Sequence, residues 1–314
     1  MSTRLHSSNE LGILWNRKMR ILICSDGSEQ ADQALRLGAL IAAGCQAEVT
    51  LLGIMETAGE SERLLESLRR GQTLLHEKGI HAELITKAGE PVPEILHRTK
   101  ETSFDLVVIG AVRKGTRGRF WMSSKTYKLI KQIEPPVLSV AGQTAAIHRI
   151  LICSGGKQYI DNAVRLTGQI GRGTGATVTL LHVMGELPAL YANLPRMEET
   201  ADWLLNSDSE LGVNLRHEKA TLESMGVTTE VRLRQGSVLE EILKETRAAP
   251  YDLVVTGSAL SRSLRSYVLG DISREIVNRT DCAVLVARGD ERLGDTRTRF
   301  RQWWGRRPPP ASAF

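Results

Sequence analysis

The feature that most constrains this chain is that it repeats itself. Ile21-Leu22-Ile23-Cys24-Ser25 returns 129 positions later as Ile150-Leu151-Ile152-Cys153-Ser154, and Val49-Thr50-Leu51-Leu52 returns at the same offset as Val178-Thr179-Leu180-Leu181. Further along the offset becomes 147. Glu94-Ile95-Leu96 then matches Glu241-Ile242-Leu243, Asp105-Leu106-Val107-Val108 matches Asp252-Leu253-Val254-Val255, and Val137-Leu138 matches Val284-Leu285. The second copy therefore carries 18 extra residues (147 minus 129) between Leu181 and Glu241. The stretch from Gly185 to Thr200, with its two prolines, is the place expected for much of this insertion.

Within each copy, short β-rich apolar runs alternate with longer helical ones, which predicts a parallel sheet covered by helices on both faces. In the first copy the strands are expected at Arg20 to Cys24, Glu48 to Ile54, Ala82 to Lys87, Leu106 to Ile109 and Val137 to Val140. These runs are nearly continuous in apolar residues, as strands buried on both faces must be. Between the first two, Ala31, Ala34, Leu35, Gly38, Ile41 and Ala42 fall on one helical face, with Ser28 placed to cap the helix. Right-handed crossovers then give two tandem doubly wound α/β domains, each a five-stranded parallel sheet. The ligand crevice of such a sheet lies at the carboxyl ends of the strands, where the strand order reverses. The joint falls near His148 and Arg149, after the short stretch Gln143-Thr144-Ala145-Ala146. A linker so short predicts a packed internal pseudo-dimer.

Composition excludes several alternatives. With 314 residues, 25% of them charged and 41% hydrophobic, the chain is long enough for two folded domains and too apolar to be mainly disordered. Its net charge of +5 is concentrated at the end, where Arg292, Arg297, Arg299, Arg301, Arg306 and Arg307 face only Glu291 and Asp295. The body is thus near neutral, and no nucleic-acid partner is expected. Four cysteines without paired spacing make neither a disulfide framework nor a zinc site. Cys24 and Cys153, the same position in the two copies, read as small buried hydrophobes. Leu11 to Trp15 is too short for a signal-peptide core and no run reaches membrane-spanning length, so a cytoplasmic protein is expected.

Ligand sites in such folds form where strands end and helices begin, because free N–H groups and the helix dipole both favour an anion there. Two places per copy qualify. One is the turn after the first strand, Ser25-Asp26-Gly27-Ser28 and Ser154-Gly155-Gly156-Lys157. The other is the loop after the fourth strand, from Gly110 to Ser123-Ser124 and from Gly257 to Gly270-Asp271. The first-strand ending Ile-Leu-Ile-Cys-Ser-Asp-Gly-Ser and the fourth-strand ending Asp-Leu-Val-Val-Ile-Gly resemble the universal stress protein family, over roughly residues 19–142 and 148–289. The resemblance implies a Rossmann-like fold in each copy, a role in stress response, and in the ATP-binding members a nucleotide held by an aspartate after strand one. After strand four those members carry a glycine, two residues, a second glycine, nine residues, and then Gly-Ser or Gly-Thr. The glycines let backbone approach phosphate, and the terminal hydroxyl and N–H groups hold its oxygens.

Carried onto this chain, the resemblance places Asp26 at the family's aspartate, with Ser25 beside it. Gly110 stands at the first glycine, Arg113 at the second, Ser123 at the third and Ser124 at the hydroxyl. The spacing is kept while two glycines are lost. In the second copy Gly155 replaces the aspartate, Gly257 and Gly270 keep the first and third glycines, Leu260 takes the second, and Asp271 stands where the hydroxyl is expected. A carboxylate there repels phosphate, so ATP or another adenine nucleotide is expected at the first copy only. Arg113, with Lys114, Arg117 and Arg119 nearby, either supplies a charged fork suited to phosphate or belongs to a solvated basic loop. Gly110 and Gly257 are also explained as turn residues. Ser154-Gly155-Gly156-Lys157 is similar to the pyrophosphate loop of ATP pyrophosphatases but lacks the Asp-Ser that follows it there. No nucleophile elbow or metal constellation is present in the sequence, so no enzymatic activity is expected.

Three readings follow: a regulatory stress-response protein that binds an adenine nucleotide and signals to a protein partner, a nucleotide-free docking scaffold, and an ATP-consuming enzyme. The loss of motif glycines favours the second over what family resemblance alone implies, and the missing Asp-Ser argues against the third. A homodimer of the whole chain stays open beside the internal pair. Residues 1–18 form an N-terminal extension and residues 290–314 a tail in which Leu293, Phe300, Trp303 and Trp304 share one side of a helix among arginines. That tail has the layout of a segment that docks on an anionic membrane or an acidic partner. A disordered basic tail, or tryptophans packed on the chain's own domains, also accounts for it, and these two readings together are preferred to membrane or partner docking.

Overall fold

Apolar runs become the inner strands of both copies, and the register of the strands carries the repeat into three dimensions. The expectation of burial on both faces fails for the strand at Ala82–Ala88, which is mostly exposed, and for its counterpart Thr229–Gln235, which is largely half-buried, because each ends the sheet and has a neighbouring strand on one side only. The fold, a computed structural model, is described for residues 17–57, 59, 61–111, 113–114, 121–122, 124–156, 161–185, 201–260, 267–268 and 271–288. Ser123, Gly270, most of the expected insertion and the tail, on which sequence expectations were placed, lie outside the described residues. The first copy runs β1 (Arg20–Ser25), α1 (Glu29–Cys45), β2 (Glu48–Met55), α2 (Ser61–Glu77), β3 (Ala82–Ala88), α3 (Pro91–Glu101) and β4 (Leu106–Gly110). It continues through the two-residue strands β5 (Arg113–Lys114) and β6 (Trp121–Met122) to α4 (Ser124–Gln132) and β7 (Val137–Val140). The second runs β8 (Arg149–Ser154), α5 (Asp161–Thr174), β9 (Thr177–Met184), α6 (Ala201–Asn206), α7 (Glu210–Ser224), β10 (Thr229–Gln235) and α8 (Val238–Ala248). It ends in β11 (Leu253–Leu260), β12 (Tyr267–Val268), α9 (Asp271–Arg279) and β13 (Ala283–Arg288).

Helix α1 shows how local chemistry sets an element. The Ser28 hydroxyl accepts from the Ala31 N–H at 3.2 Å, Glu29 and Asp32 complement the positive end of the helix, and Gln46 closes it in the left-handed region at φ 51°. Its whole predicted apolar face, Ala31, Ala34, Leu35, Gly38, Ile41 and Ala42, is buried. Equivalent strands pair in equivalent register: Arg20 opposes Glu48 as Arg149 opposes Thr177, and Val49 opposes Ala82 as Val178 opposes Thr229. The extra residues of the second copy fall between β9 and α7. Helix α6 lies there, buries Leu204 and touches both α7 and β10.

Each copy is a five-stranded parallel sheet as expected, with the order β3-β2-β1-β4-β7 in the first, yet the two are not separate sheets. They join through β7 and β13 into one path of ten strands, β10-β9-β8-β11-β13-β7-β4-β1-β2-β3, with β12 paired to β11 off that path. The β7–β13 pairing is antiparallel and sets Leu138 opposite Leu285, residues at the same repeat position, so the local two-fold passes between them. Both strands are buried along their whole length, and an apolar strand so buried must find partners for its N–H and C=O groups. Mutual pairing meets that requirement. The same two-fold brings α1 against α5 at equivalent glycines. A Cβ on Gly44 would stand 2.3 Å from the Gly173 carbonyl oxygen, and one on Gly173 would stand 2.5 Å from the Gly44 carbonyl carbon.

Two apolar layers hold the sheet. One packs under α1, α2, α5 and α7, and the other, through Ile95, Leu129, Ile130, Ile242, Ile276 and Val277, under α3, α4, α8 and α9. Two arginines of the second copy reach the first: Arg288, 3% exposed, donates to the Ile130 carbonyl, and Arg274 lies 5.4 Å from the Tyr127 ring centre. Charge is exchanged between the copies at one buried position. Glu245, fully buried, takes Arg232 at 2.6 Å, Arg234 and the Tyr251 hydroxyl at 2.8 Å, whereas its first-copy equivalent is Arg98, which pairs with Glu83 at 3.0 Å.

Candidate functional site

The first copy opens a cleft at the carboxyl ends of β1 and β4, the adjacent strands from which its chain runs outward in opposite directions. One wall is the turn after β1. There Gly27 takes φ +75°, its N–H donates to the Ser25 hydroxyl at 3.1 Å, and the Ser28 N–H donates to Asp26 Oδ1 at 2.9 Å. The turn is glycine-specific for a second reason, since a Cβ on Gly27 would lie 2.9 Å from the Leu64 Cα. Ser25 is buried and bridges to Ser67 at 3.3 Å. Ser67 in turn donates to Asp32 at 2.5 Å, and Asp32 also takes Arg70 at 2.9 Å. Asp26 itself is exposed at the cleft mouth.

The cleft encloses about 110 Å³. Its floor and sides are largely apolar, from Cys24, Ile54, Ile95, Ile109 and Leu129, and its polar side chains are Ser25, Asp26, Ser28, Glu56 and Thr126. Burial drives the Cys24 thiol far above the usual cysteine range, which makes it a wall residue without thiolate chemistry. An apolar slot with a few polar groups at its rim suits a planar ring bearing hydroxyl or amino groups. Among the described residues no group of three or more His, Cys, Asp or Glu side chains could hold a metal ion.

Of the residues expected at the first site, Ser25, Asp26 and Gly110 come together in this cleft. Gly110 has a structural reason of its own. A Cβ there would stand 2.6 Å from the carbonyl carbon and oxygen of Gln30, so the close packing of α1 on β4 requires glycine with or without a ligand. Arg113 lies in the antiparallel ribbon β5–β6, opposite Met122. Ser124 is the first residue of α4, where N–H groups at a helix start are without intrahelical partners. Sequence reasoning missed Glu56, Thr126 and the apolar walls. The hydroxyl at position 126 had a signal, because Ser273 repeats it in the second copy; Glu56 had none, its counterpart being Gly185.

The second copy builds the same turn and lacks the same chemistry. Gly156 repeats Gly27 at φ +67°, and its N–H donates to the Ser154 hydroxyl at 3.0 Å; a Cβ there would meet Leu211, the repeat equivalent of Leu64, at 2.3 Å. Gly155, exposed, offers no carboxylate where Asp26 stands. The Ser273 hydroxyl is spent between Thr256 at 2.9 Å and the Gly257 carbonyl at 2.8 Å. Asp271 begins α9 as Ser124 begins α4.

Behind this second turn lies a buried polar cluster. Ser154 donates to Glu218 Oε1 at 3.2 Å, while Glu218 Oε2, in a residue only 2% exposed, has no hydrogen-bond partner among the described residues. Asn214 donates to the Gly156 carbonyl at 2.9 Å, and His182 Nδ1 lies 3.0 Å from the Ser154 carbonyl. Burial pushes the Glu218 carboxyl up to about 7; the Ser154 bond opposes that rise and the charge of Asp161 adds to it. Burial also lowers His182, against the bond to Ser154.

Comparison with known proteins agrees with the fold and its repeat. The family model described as "Universal stress protein family" matches residues 18–141 and again 146–288. A universal stress protein of Synechocystis sp. is 22% identical over 306 residues, covering 85% of this chain and 99% of its own. One from Bacillus subtilis is 28% identical over 146 residues, covering 38% of this chain and 97% of its own. Among solved structures, a universal stress protein from Archaeoglobus fulgidus superposes with a TM-score of 0.64 at 18% identity, covering 86% of this chain and 98% of its own.

Proposed function

This chain belongs to the universal stress protein family, and on that premise we propose that it is a regulatory stress-response protein whose first copy binds the adenosine part of an adenine nucleotide. The observation that carries the reading is the first-copy cleft, where Ser25, Asp26, Glu56 and Thr126 ring an apolar slot at the strand ends. The walls formed by Ile54, Ile95 and Ile109 accept the flat faces of a base, and the exposed carboxylate of Asp26 is placed to accept hydrogen bonds from ligand hydroxyl or amino groups. The start of α4 at Ser124 offers N–H groups toward phosphate. Gly155 in place of Asp26 and Asp271 in place of Ser124 remove both contributions from the second copy, which acts as the fixed half of the pair.

One observation favours a second reading, a nucleotide-free scaffold: Gly110 is already required by the packing of α1. A single experiment separates the two. Denaturing the purified chain and analysing the supernatant by mass spectrometry should release a stoichiometric adenine nucleotide, or the refolded chain should bind added ATP in equilibrium dialysis. Absence of both supports the scaffold. No activity that consumes the nucleotide is proposed.

A further inference from the structure

Strand β3 ends the main sheet on the first-copy side, and no described residue pairs with its outer edge. It is seven residues long, it runs alongside β2 in unbroken register from Ala82 to Ala88, and Glu83, Leu84, Thr86, Lys87 and Ala88 are exposed. Leu84, at 41%, is among the most exposed large apolar side chains described. We propose that β3 pairs antiparallel with β3 of a second copy of this chain, about a two-fold axis through Ile85.

The strand sequence is self-complementary in that register. Ala82 faces Ala88 of the second copy, Glu83 faces Lys87, Leu84 faces Thr86, and Ile85 faces Ile85. Opposite charges meet twice, on one face of the sheet, and the two Leu84 side chains approach diagonally on the other. Glu83 is available for the contact: its bonds to Thr50 and Arg98 both use Oε2, and 59% of its side chain is exposed. Charged residues on an edge normally deter pairing, and here Glu83 and Lys87 repel a neighbour in parallel, in-register alignment while selecting this antiparallel one. Helix α2 contacts β2 and β3, so the same axis sets the two α2 helices side by side, on the order of 10 Å apart, the distance of packed helices. Each α2 would present exposed Leu65, Arg69, Gln72 and His76.

The opposite edge does not offer this. Self-pairing of β10 about its centre would set Arg232 against Arg232, and both Arg232 and Arg234 are committed inward to Glu245. Helix α6, which has no counterpart among the described residues of the first copy, also adjoins β10. Pairing through β3 closes on itself as a dimer and leaves no growing end there.

Sedimentation equilibrium of the full chain over a dilution series tests the proposal. The mass should rise with concentration toward twice 34.6 kDa and stop there. Lys87→Glu, which sets like charges together at two places, should weaken the dimer by about tenfold or more, and adding Glu83→Lys to it should restore association. Circular dichroism should show the same fold for all three chains. A mass of 34.6 kDa throughout, an unchanged dimer in Lys87→Glu, or no recovery in the double variant overturns the proposal. Masses that rise beyond a dimer also overturn it, because pairing of β3 with β3 closes at two chains.

Discussion

Replacing Glu218 by glutamine should remove a pH dependence that the fold builds into the second copy. The carboxyl sits behind the Ser154 turn with one oxygen bonded and the other without a partner, and its titration is pushed up to about 7 from the ordinary 4.5. At about 1.4 kcal/mol per pH unit, that displacement separates the protonated from the ionised form by roughly 3 kcal/mol. The folded value lies above the unfolded one, so the folded chain keeps a proton that the unfolded chain has already released. The resulting stability is fully present below about pH 4.5 and is lost as pH rises through about 7. Glutamine keeps the oxygen that accepts from Ser154 and cannot ionise. Urea denaturation of both chains from about pH 4.5 to about pH 8 should therefore show Glu218→Gln gaining on the wild type with rising pH, by up to roughly 3 kcal/mol. His182 titrates in both chains and cancels in the difference. Asp161→Asn should move the wild-type window to lower pH, because its charge helps raise Glu218. A stability difference that does not change with pH would refute the reasoning, since it would mean that Glu218 is solvated or paired in the folded protein.

Gly44→Ala and Gly173→Ala should each destabilise the chain by roughly 1–3 kcal/mol in thermal or urea unfolding, because the added methyl meets backbone of the opposite helix rather than a yielding side chain. Gly156→Ala should cost at least about 1–2 kcal/mol, from a left-handed backbone and a 2.3 Å approach to Leu211, and an unchanged unfolding midpoint would show that the turn relaxes. If the first copy holds the nucleotide, Asp26→Ala and Ser124→Ala should weaken binding in calorimetry, the latter by roughly 1.5–3 kcal/mol. Asp271→Ala should leave that affinity unchanged, and equal effects from the two copies would overturn the asymmetry.

The sequence by itself determined the repeat, the strands and the helices between them, because these depend on neighbours along the chain. Apolar runs bounded by polar turns leave few alternatives to buried parallel strands for β1, β2, β4 and β7, and the spacing of Ala31, Ala34, Leu35, Gly38, Ile41 and Ala42 leaves α1 one face to bury, whereas the exposure of β3 follows from its place at the sheet edge. It also located the Ser25–Ser28 turn and separated the two copies by Asp26 against Gly155. What only the tertiary structure decided involves groups far apart in sequence. The joining of two sheets into one follows from β7 and β13 each needing a partner, and the helix crossing beneath it depends on two glycines 129 residues apart, Gly44 and Gly173. Gly110 read as a turn or phosphate glycine until α1 was seen pressed against it. Glu56 and Thr126 joined the cleft from the bend after β2 and from α4 without a motif to announce them. Glu218 reads on α7 as one more charged helical residue, and burial behind the Ser154 turn gives it its titration near neutral pH. Desolvation is a property of the surroundings, and a side chain's surroundings are fixed only when distant segments pack.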